Sequence, residues 1–418
     1  MEIQDLKRII INQKEEIEKI DNTVKRDILD DILHWFNDNR VMILTGIRRC
    51  GKSTILKQIM KNKDNYCYVN FEDERFLDFK AQDFEKLNEI LIEIYGPPMI
   101  YFFDEIQNIE KFETFVRRLQ DEGKKVVITG SNASLLSKEF GTRLTGRYKP
   151  FEVFPFSFLE YIRFKGIELE KEWMHKATKR VEIKKLFNEY LELGGFPEYL
   201  KTQDKEYIKN IFENILYRDV IARYSVKKHK IINELISILA TNVSSTFTYN
   251  SIKNILNLAN SITVKEYISY LSNSYFFFEV SRFDFSLKRS LNSPKKIYII
   301  DPAFNQIIGF NFSANSGKNL ENMVFIELKR RGKEIYYFAN RGECDFLIKE
   351  GNKIVQAIQV CYVLNDSNRE RELNGLLASM EEFKLKEGLI VTLDQEEEIK
   401  AGNKKIIIKP IWGLLLEK

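Results

Sequence analysis

The segment Gly46–Ser53 constrains this chain more than any other part of its sequence. It reads GIRRCGKS and fits the pattern GxxxxGK[ST]. The apolar run Val41–Thr45 precedes it, and apolar residues at helical spacing follow it, so a buried strand should lead into the segment and a helix should leave it. In that setting the two glycines let the loop curl until its backbone N–H groups face one anion, and the start of the helix adds partial positive charge. The segment therefore predicts a loop that binds the phosphates of a nucleotide.

The side chains of this loop predict how the nucleotide and a metal ion are held. Lys52 can reach the β- and γ-phosphates of ATP, and the Ser53 hydroxyl can hold Mg²⁺. ATP and Mg²⁺ are therefore the expected cofactors. The residues expected to contact the nucleotide are Gly46, Ile47, Arg48, Arg49, Cys50, Gly51, Lys52, Ser53 and Thr54.

Two adjacent acids end a second predicted buried strand, Met99–Phe103. We expect Asp104 to hold the Mg²⁺ shell and Glu105 to position and deprotonate the attacking water. Adjacent acids can also form a solvated turn, but their place after a buried strand, downstream of a phosphate loop, favours the catalytic interpretation. A nucleotide kinase need not carry the second acid, whereas an ATPase that activates water needs it. The pair therefore predicts ATP hydrolysis rather than transfer to a small acceptor.

Polar residues also follow the third predicted strand, Val126–Thr129. Strands that alternate with helices predict an α/β fold with a parallel sheet, whose ligands bind at the carboxyl ends of the strands. Ser131 or Asn132 could therefore sense the γ-phosphate and orient the water, or both could simply begin a polar loop. Further on, Arg143 and Arg147 are candidates for an arginine that a neighbouring subunit inserts to neutralise transition-state charge; Arg147 is preferred, and both could be ordinary surface arginines.

Taken together, these motifs resemble one family. The chain resembles the AAA+-type P-loop ATPases of archaea and bacteria that carry a C-terminal domain of unknown function. The resemblance implies an AAA+ core over residues 1–155, a small helical lid over 156–225, a homo-oligomer with nucleotide at subunit contacts, and a place for Arg26 near the base or ribose. The segments that carry it, which extend over much of the chain, are Ile43–Ser53, Phe102–Gln107, Ile128–Asn132, Leu144–Arg147, Pro155–Phe158, Gly194–Pro197 and Tyr217–Val220.

The region 226–300 resembles a winged helix. Three helices are predicted over Ile231–Ala240, Ser251–Leu258 and Val264–Ser272, and the strand Phe276–Arg282 begins the wing. A DNA reader places its third helix in the major groove, but this one offers little beyond Lys265 and Tyr270. DNA contact and packing between domains both remain open. The wing is richer in cations that could hold DNA phosphates without reading sequence, namely Arg282, Lys288, Arg289, Lys295 and Lys296.

The region 301–418 resembles the restriction-endonuclease-like PD-(D/E)xK fold. Such a site needs an acid on a helix, an acid at a hairpin and Glu-x-Lys on the next strand, where the acids hold Mg²⁺ and the lysine helps to activate water. Glu321 or Glu327 offers the first acid and Asp345 the second. Gln359 and Cys361 stand where the carboxylate and the lysine should be, so we expect a domain without nuclease activity that serves binding or packing.

Composition limits the function classes only loosely. Lys and Arg number 65 against 61 Asp and Glu, a net charge of +4, so any nucleic-acid site must be a local patch. No apolar run approaches the roughly 18–20 residues needed to cross a bilayer, and the polar, acidic start is unlike a signal peptide, so we expect a cytoplasmic protein. The four cysteines form no CxxC pair, which disfavours a structural zinc site.

Two kinds of output follow from this organisation. The first is a DNA-directed motor or remodelling ATPase, which predicts ATP turnover that DNA stimulates. The alternative is a nucleotide-dependent regulatory switch that acts on a protein partner, with turnover that is indifferent to DNA. A P-loop kinase is a third, weaker reading.

Overall fold

The computed structural model describes residues 1–19, 23–133, 144, 146–170, 172–308 and 316–417. It divides into two compact units, Met1–Phe154 and Pro155–Lys418.

The first unit is built on a parallel five-stranded sheet in the order β2-β3-β4-β1-β5. In this sheet Thr45 lies beside Gly130 and Asn70 beside Asp104, so the carboxyl ends of four strands share one edge. The predicted parallel α/β sheet is thus confirmed. Its strands are β1 (Val41–Thr45), β2 (Tyr66–Asn70), β3 (Ile100–Asp104), β4 (Lys125–Gly130) and β5 (Tyr148–Glu152), and the helices are α1 (Ile3–Glu18), α2 (Ile28–His34), α3 (Lys52–Met60), α4 (Phe84–Tyr95) and α5 (Phe112–Asp121).

An aromatic core supports the sheet of the first unit. Every residue of β1 is buried, as expected for a strand covered on both faces. Phe84 of α4 stacks on Phe115 of α5 with ring centroids 4.6 Å apart, and both rings pack with Phe71 and Phe103 in one buried cluster. This close-packed cluster includes Phe103, the residue directly before Asp104 at the end of β3.

The second unit begins with helices. A π-helical segment, Ile215–Ala222, continues the last of them. Gly194 and Gly195 lie between two of these helices, and the Gly195 N–H donates to Asp301 Oδ2 at 2.8 Å. These helices are α6 (Phe158–Phe164), α7 (Ala177–Leu193), α8 (Pro197–Thr202) and α9 (Lys205–Asn214).

Four further helices accompany a small antiparallel sheet in the order β6-β8-β7. The predicted helices and the strand before the wing are present at this place, with shifted ends. The helices are α10 (His229–Thr241), α11 (Tyr249–Ile255), α12 (Ser261–Asn273) and α13 (Leu287–Asn292), and the strands are β6 (Thr246–Phe247), β7 (Phe277–Ser281) and β8 (Lys295–Ile299).

Two of the five wing cations cannot hold DNA phosphates, so that prediction is wrong for Lys295 and Lys296. Both lie in β8, whose residues are all buried, and Lys296 exposes only 2% of its surface. Tyr270 of α12 is also engaged, because its ring stacks on Tyr224 at 4.0 Å. Lys265 remains exposed on the same helix.

The rest of the second unit is organised around a six-stranded mixed sheet in the order β13-β14-β12-β11-β10-β9. Strands β9, β10 and β11 pair antiparallel, and β11, β12 and β14 pair parallel. The strands are β9 (Glu334–Ala339), β10 (Glu343–Glu350), β11 (Lys353–Val360), β12 (Glu387–Thr392), β13 (Glu397–Ala401) and β14 (Lys404–Pro410), and the helices are α14 (Asn305–Ile308), α15 (Ser316–Arg330), α16 (Arg369–Glu382) and α17 (Ile411–Leu416).

Across the described ranges, no helix combines the length and the apolar character that a membrane crossing requires.

Candidate functional site

The phosphate loop joins the end of β1 to the start of α3, as the motif predicts. A Cβ on Gly46 would lie 2.0 Å from the carbonyl oxygen of Val153, so no side chain fits there. Gly51 has a φ of 102°, which side chains rarely adopt, and a Cβ on it would lie 2.8 Å from Arg26 Nη1. Both glycines are therefore required by the backbone path itself.

Lys52 is buried at the first turn of α3. Its Nζ donates to the carbonyl oxygens of Gly46 at 3.1 Å and Ile47 at 3.2 Å, and it lies 3.2 Å from Glu105 Oε1. Burial alone would lower the pKa of this ammonium, but the negative groups around it, Glu105 foremost, together outweigh burial and raise the pKa of Lys52 above its ordinary value. The side chain is therefore a fixed positive charge at the mouth of the loop.

Asp104, the last residue of β3, is held by hydroxyl groups. Its Oδ1 accepts a hydrogen bond from Thr129 Oγ1 and its Oδ2 accepts one from the Tyr68 hydroxyl at 3.1 Å. The Ser53 side chain lies near the same carboxyl group and acts to lower its pKa. Burial first, and then the neighbouring charge of Glu105, raise the pKa of Asp104.

Ser53 and Asp104, the two predicted Mg²⁺ ligands, are thus brought together. A carboxylate and a hydroxyl oxygen at one point are donors that fit a hard divalent cation, which takes its remaining ligands from water and phosphates. The residues present therefore fit Mg²⁺.

Glu105 follows directly, in the left-handed backbone region with a φ of 50°. Its N–H donates to Thr129 Oγ1 at 2.9 Å, and its Oε2 accepts from Gln107 Nε2 at 2.5 Å. Burial would raise the pKa of Glu105, but the charge of Lys52 and the hydrogen bond from Gln107 outweigh it and leave the pKa lowered. Glu105 is therefore ionised at neutral pH, as an acceptor for a water proton must be.

Two polar atoms near the carboxyl edge of the sheet have no hydrogen-bond partner within the described ranges. They are Ser131 Oγ, buried just beyond β4, and Gln107 Oε1. A buried polar group without a partner costs about 1–3 kcal/mol, so such atoms mark a place where a ligand with polar atoms fits. Asn132, the other predicted sensor, is buried next to Ser131.

Arg26 lies beneath the loop. Its Nη1 donates to the carbonyl oxygen of Cys50 at 2.8 Å and its Nη2 to that of Phe154 at 2.7 Å. The guanidinium therefore ties the phosphate loop to the chain that follows β5. A contact of Arg26 with base or ribose stays a prediction.

The arginines of the sequence motifs have different surroundings. Arg48 of the loop forms an ion pair with Glu72, and Arg49 adopts a φ of 65°. Arg147 precedes β5, which runs parallel to β1, so it lies at the amino edge of the sheet while the phosphate loop lies at the carboxyl edge. Its side chain is exposed and lies 3.2 Å from Asp121 Oδ1. Arg143 is outside the described residues.

Sequence reasoning missed three residues of this site: Tyr68, Gln107 and Thr129. The pairing of β2, β3 and β4 brings the hydroxyl groups of Tyr68 and Thr129 to Asp104, whereas Gln107 reaches Glu105 from the turn that follows β3. A usable signal existed for Thr129, because it is a polar residue at the end of an otherwise apolar strand.

Comparisons with known proteins place this site in a family. A model of an AAA domain matches residues 38–162, which include the phosphate loop and both acids. The uncharacterized protein MJ1544 of Methanocaldococcus jannaschii is 35% identical over an alignment of 418 positions. The alignment covers 95% of this chain and 92% of that protein. This chain belongs to the same family. The first unit carries an AAA-type ATPase domain.

A second relative is also uncharacterized. An uncharacterized protein of Haemophilus influenzae is 28% identical over 407 residues, 93% of this chain and 98% of that protein. A model of a domain of unknown function matches residues 184–311. The S. cerevisiae Hsp104-ADP complex shares 15% identity over 60% of this chain and 52% of that chain, with a TM-score of 0.33.

Proposed function

We propose that this protein hydrolyses ATP with Mg²⁺ and uses the reaction to change its own conformation. The observation that carries the proposal is the ionised, buried Glu105 beside both Lys52 and the Ser53–Asp104 pair. These groups meet at the carboxyl edge of a parallel sheet, where ligands of such sheets bind.

The reaction follows from these groups. The Lys52 ammonium exchanges the carbonyl oxygens of Gly46 and Ile47 for oxygens of the β- and γ-phosphates, since it can serve only one set of acceptors. That movement releases Glu105 from its ion pair. The free carboxylate then takes a proton from water as the water oxygen bonds to the γ-phosphorus and the bond to the bridging oxygen breaks, which yields ADP and phosphate. Mg²⁺, when bound by Ser53 and Asp104, neutralises phosphate charge.

Ser131, Asn132 and Gln107 complete the catalytic assignment. Ser131 Oγ and Gln107 Oε1 have unused hydrogen-bonding capacity, which supports roles in orienting the γ-phosphate and the water. The loop residues Gly46–Thr54 contact the phosphates, and Arg26 keeps the loop in shape.

We propose that Arg147 acts on the site of a neighbouring subunit in a homo-oligomer. Its exposed side chain at the edge opposite the phosphate loop supports action between subunits rather than within one. A guanidinium is suited to this task because it stays charged and binds phosphate oxygens with two parallel donors.

For the second unit we propose a helical lid over 156–225, a winged helix over 226–300 and a nuclease-like domain over 301–418. The order helix, strand, helix, helix, strand, with the short helix α13 before the last strand, supports the winged helix, as does the sheet order β6-β8-β7. The succession of α15, three antiparallel strands, α16 and the parallel strand β12 supports the nuclease-like assignment.

The surface of the wing favours a protein partner over DNA as the object of the ATPase. Arg282 and Arg289 both pair with Asp284, which reduces the cationic charge available to phosphates. Between β7 and β8 the apolar side chains of Phe285, Leu287 and Leu291 are exposed. Apolar exposure marks protein contacts more often than phosphate contacts. The two candidates are therefore a DNA-directed motor and a regulatory switch on a protein partner, and this surface favours the switch.

The test is steady-state ATP hydrolysis with Mg²⁺, with and without duplex and single-stranded DNA, using Glu105→Gln as the control. Turnover that the control lacks supports the ATPase. Stimulation by DNA supports the motor, and slow turnover that DNA leaves unchanged supports the switch. Equal phosphate release by both proteins would refute the ATPase proposal.

A further inference from the structure

A buried lysine of the small sheet lies among three acids, one from α15 and two from strand β10 of the six-stranded sheet. Lys296 of β8 places its Nζ 3.1 Å from Glu321 Oε1, 2.8 Å from Asp345 Oδ1 and 3.0 Å from Glu343 Oε1. Glu321 comes from α15, and the other two acids come from β10. One ammonium therefore lies among three carboxylates that come from two elements, a helix and a strand.

The remaining atoms of this cluster are also bonded to protein groups. The Tyr298 hydroxyl donates to Glu321 Oε1 at 2.7 Å, and Asp345 Oδ2 accepts the Val360 N–H at 2.9 Å. Gln359 accepts the Asp345 N–H and donates to Glu372 Oε2 at 2.6 Å. Much of the cluster's hydrogen-bonding capacity is therefore already taken up by the protein.

We propose that the Lys296 ammonium occupies the place of a divalent cation between Glu321 and Asp345 and thereby keeps metal out of this cluster. Two of the acids are those expected to hold Mg²⁺ in a nuclease-like domain. The inference concerns the second unit and is independent of the proposed ATPase.

Charge and distance prevent a Mg²⁺ ion and the Lys296 ammonium from both lying between Glu321 and Asp345. Mg²⁺ binds oxygen at about 2.0–2.1 Å, so an ion between these two acids would lie far inside ordinary contact with Nζ, and the two positive charges would repel each other. Gln359 contributes no charge to offset this repulsion. Over the described part of the chain, no group of three His, Cys, Asp or Glu side chains has a geometry suited to a metal. The residues present therefore do not fit Mg²⁺.

The same ammonium is badly placed to serve as the lysine missing from position 361. A nuclease lysine acts on a water that also contacts substrate and metal. Lys296 exposes only 2% of its surface, and its three acceptor oxygens leave its donors occupied. The cluster is therefore an ionic tie between β8 and the large sheet. Only the Glu343 side chain, 58% exposed, connects it to solvent.

The test removes the ammonium and looks for a metal in its place. Binding of Mn²⁺ to the nucleotide-free full chain is followed through the EPR signal of free Mn²⁺. We expect Lys296→Ala to bind one more Mn²⁺ than wild type, and Lys296→Ala/Asp345→Asn to lose it. The matched control is Lys295→Ala, because Lys295 is also buried in β8 but donates to the Ser281 hydroxyl and the Ser290 carbonyl oxygen instead of to the acid cluster. It should gain nothing.

Two results would overturn the proposal. One is a folded Lys296→Ala that binds no more Mn²⁺ than its double variant. The other is a wild-type protein that binds one more Mn²⁺ than Asp345→Asn, or that cleaves plasmid DNA with Mn²⁺ while Asp345→Asn does not. This second comparison does not depend on whether Lys296→Ala folds.

Discussion

At the scale of single residues, Lys52 and Glu105 restrain each other through an ion pair, and under the proposed mechanism this pair would link nucleotide binding to catalysis. The ion pair at 3.2 Å keeps the lysine charged and the glutamate ionised, although both are buried. A buried charge without its partner is expensive, so each side chain needs a replacement partner before it can leave. For Lys52 the phosphates of ATP can be that partner. The two single substitutions should therefore have different consequences.

Lys52→Ala should weaken ATP binding by roughly 10- to 100-fold and abolish turnover, because a charge-assisted hydrogen bond contributes about 1.5–3 kcal/mol. Calorimetric titration with ATP and Mg²⁺ measures the affinity. Lys61→Ala, at the exposed end of the same helix, is the control and should bind normally. Unchanged affinity in Lys52→Ala would contradict the role given to this lysine.

Glu105→Gln should keep ATP affinity within a few fold and lower turnover by roughly 10²- to 10⁴-fold, the usual contribution of a general base. The amide is nearly the same shape but cannot take a proton from water. Single-turnover hydrolysis separates binding from chemistry in this variant. The exposed Glu110, changed to Gln, serves as the control, and near-normal hydrolysis by Glu105→Gln would remove Glu105 from the mechanism.

At the scale of elements, strands that are buried along nearly their whole length could be predicted from sequence. Strands that combine buried and exposed or charged residues could not. β1, β3 and β4 are apolar because they are buried in the middle of a parallel sheet. β5 contains Pro150 and polar residues, which only an edge strand tolerates, so its sequence gave no strand signal. The sequence groups Lys296 of β8 with the cations of the wing, because the acids that surround it are 25 and 49 residues away along the chain.

Asp301 ties the turn at Gly194 and Gly195 to the segment before α14 and should make the second unit sensitive to pH. Its oxygens accept the N–H groups of Ala303 and Gly195, and a Cβ on Gly194 would lie 1.8 Å from Oδ1. Burial raises the pKa of Asp301 from 3.8 to about 7. The folded state therefore holds this proton more tightly than the unfolded state, and stability falls as pH rises from about 4 to about 7.

Asp301→Asn should flatten this pH dependence, because an amide does not titrate in this range. At about 1.4 kcal/mol per pKa unit, wild type should lose up to about 4 kcal/mol more than the variant between pH 4 and pH 8. The midpoint of thermal unfolding at several pH values measures the difference. Asp366→Asn, at an exposed position, should behave like wild type, and parallel curves for wild type and Asp301→Asn would show that Asp301 does not titrate in this range.

At the scale of the whole molecule, the sequence predicts function where one motif carries the chemistry and fails where separate elements create it. The loop at Gly46–Ser53 and the acids at 104 and 105 are local in sequence, and the structure brings them to one edge of the sheet. The Lys296 cluster combines side chains from three elements, so no local sequence pattern could predict it. Arg147 depends on a still larger scale, because its proposed site lies on another copy of the chain.

Mixing two inactive variants tests that assembly. Arg147→Ala alone should turn over ATP slowly, since an arginine of this kind contributes about 10³- to 10⁵-fold, and Glu105→Gln alone should also be slow. In a mixed oligomer, a subunit with Arg147→Ala keeps its own Glu105 and can receive Arg147 from a neighbour with Glu105→Gln. Turnover should therefore rise above the sum of the two separate proteins when they are mixed.

Arg117→Ala, at an exposed arginine of α5 that also pairs with Asp121, is the control and should be active alone. If Arg147→Ala is slow and the mixture stays slow although size-exclusion chromatography shows mixed oligomers, Arg147 does not act between subunits.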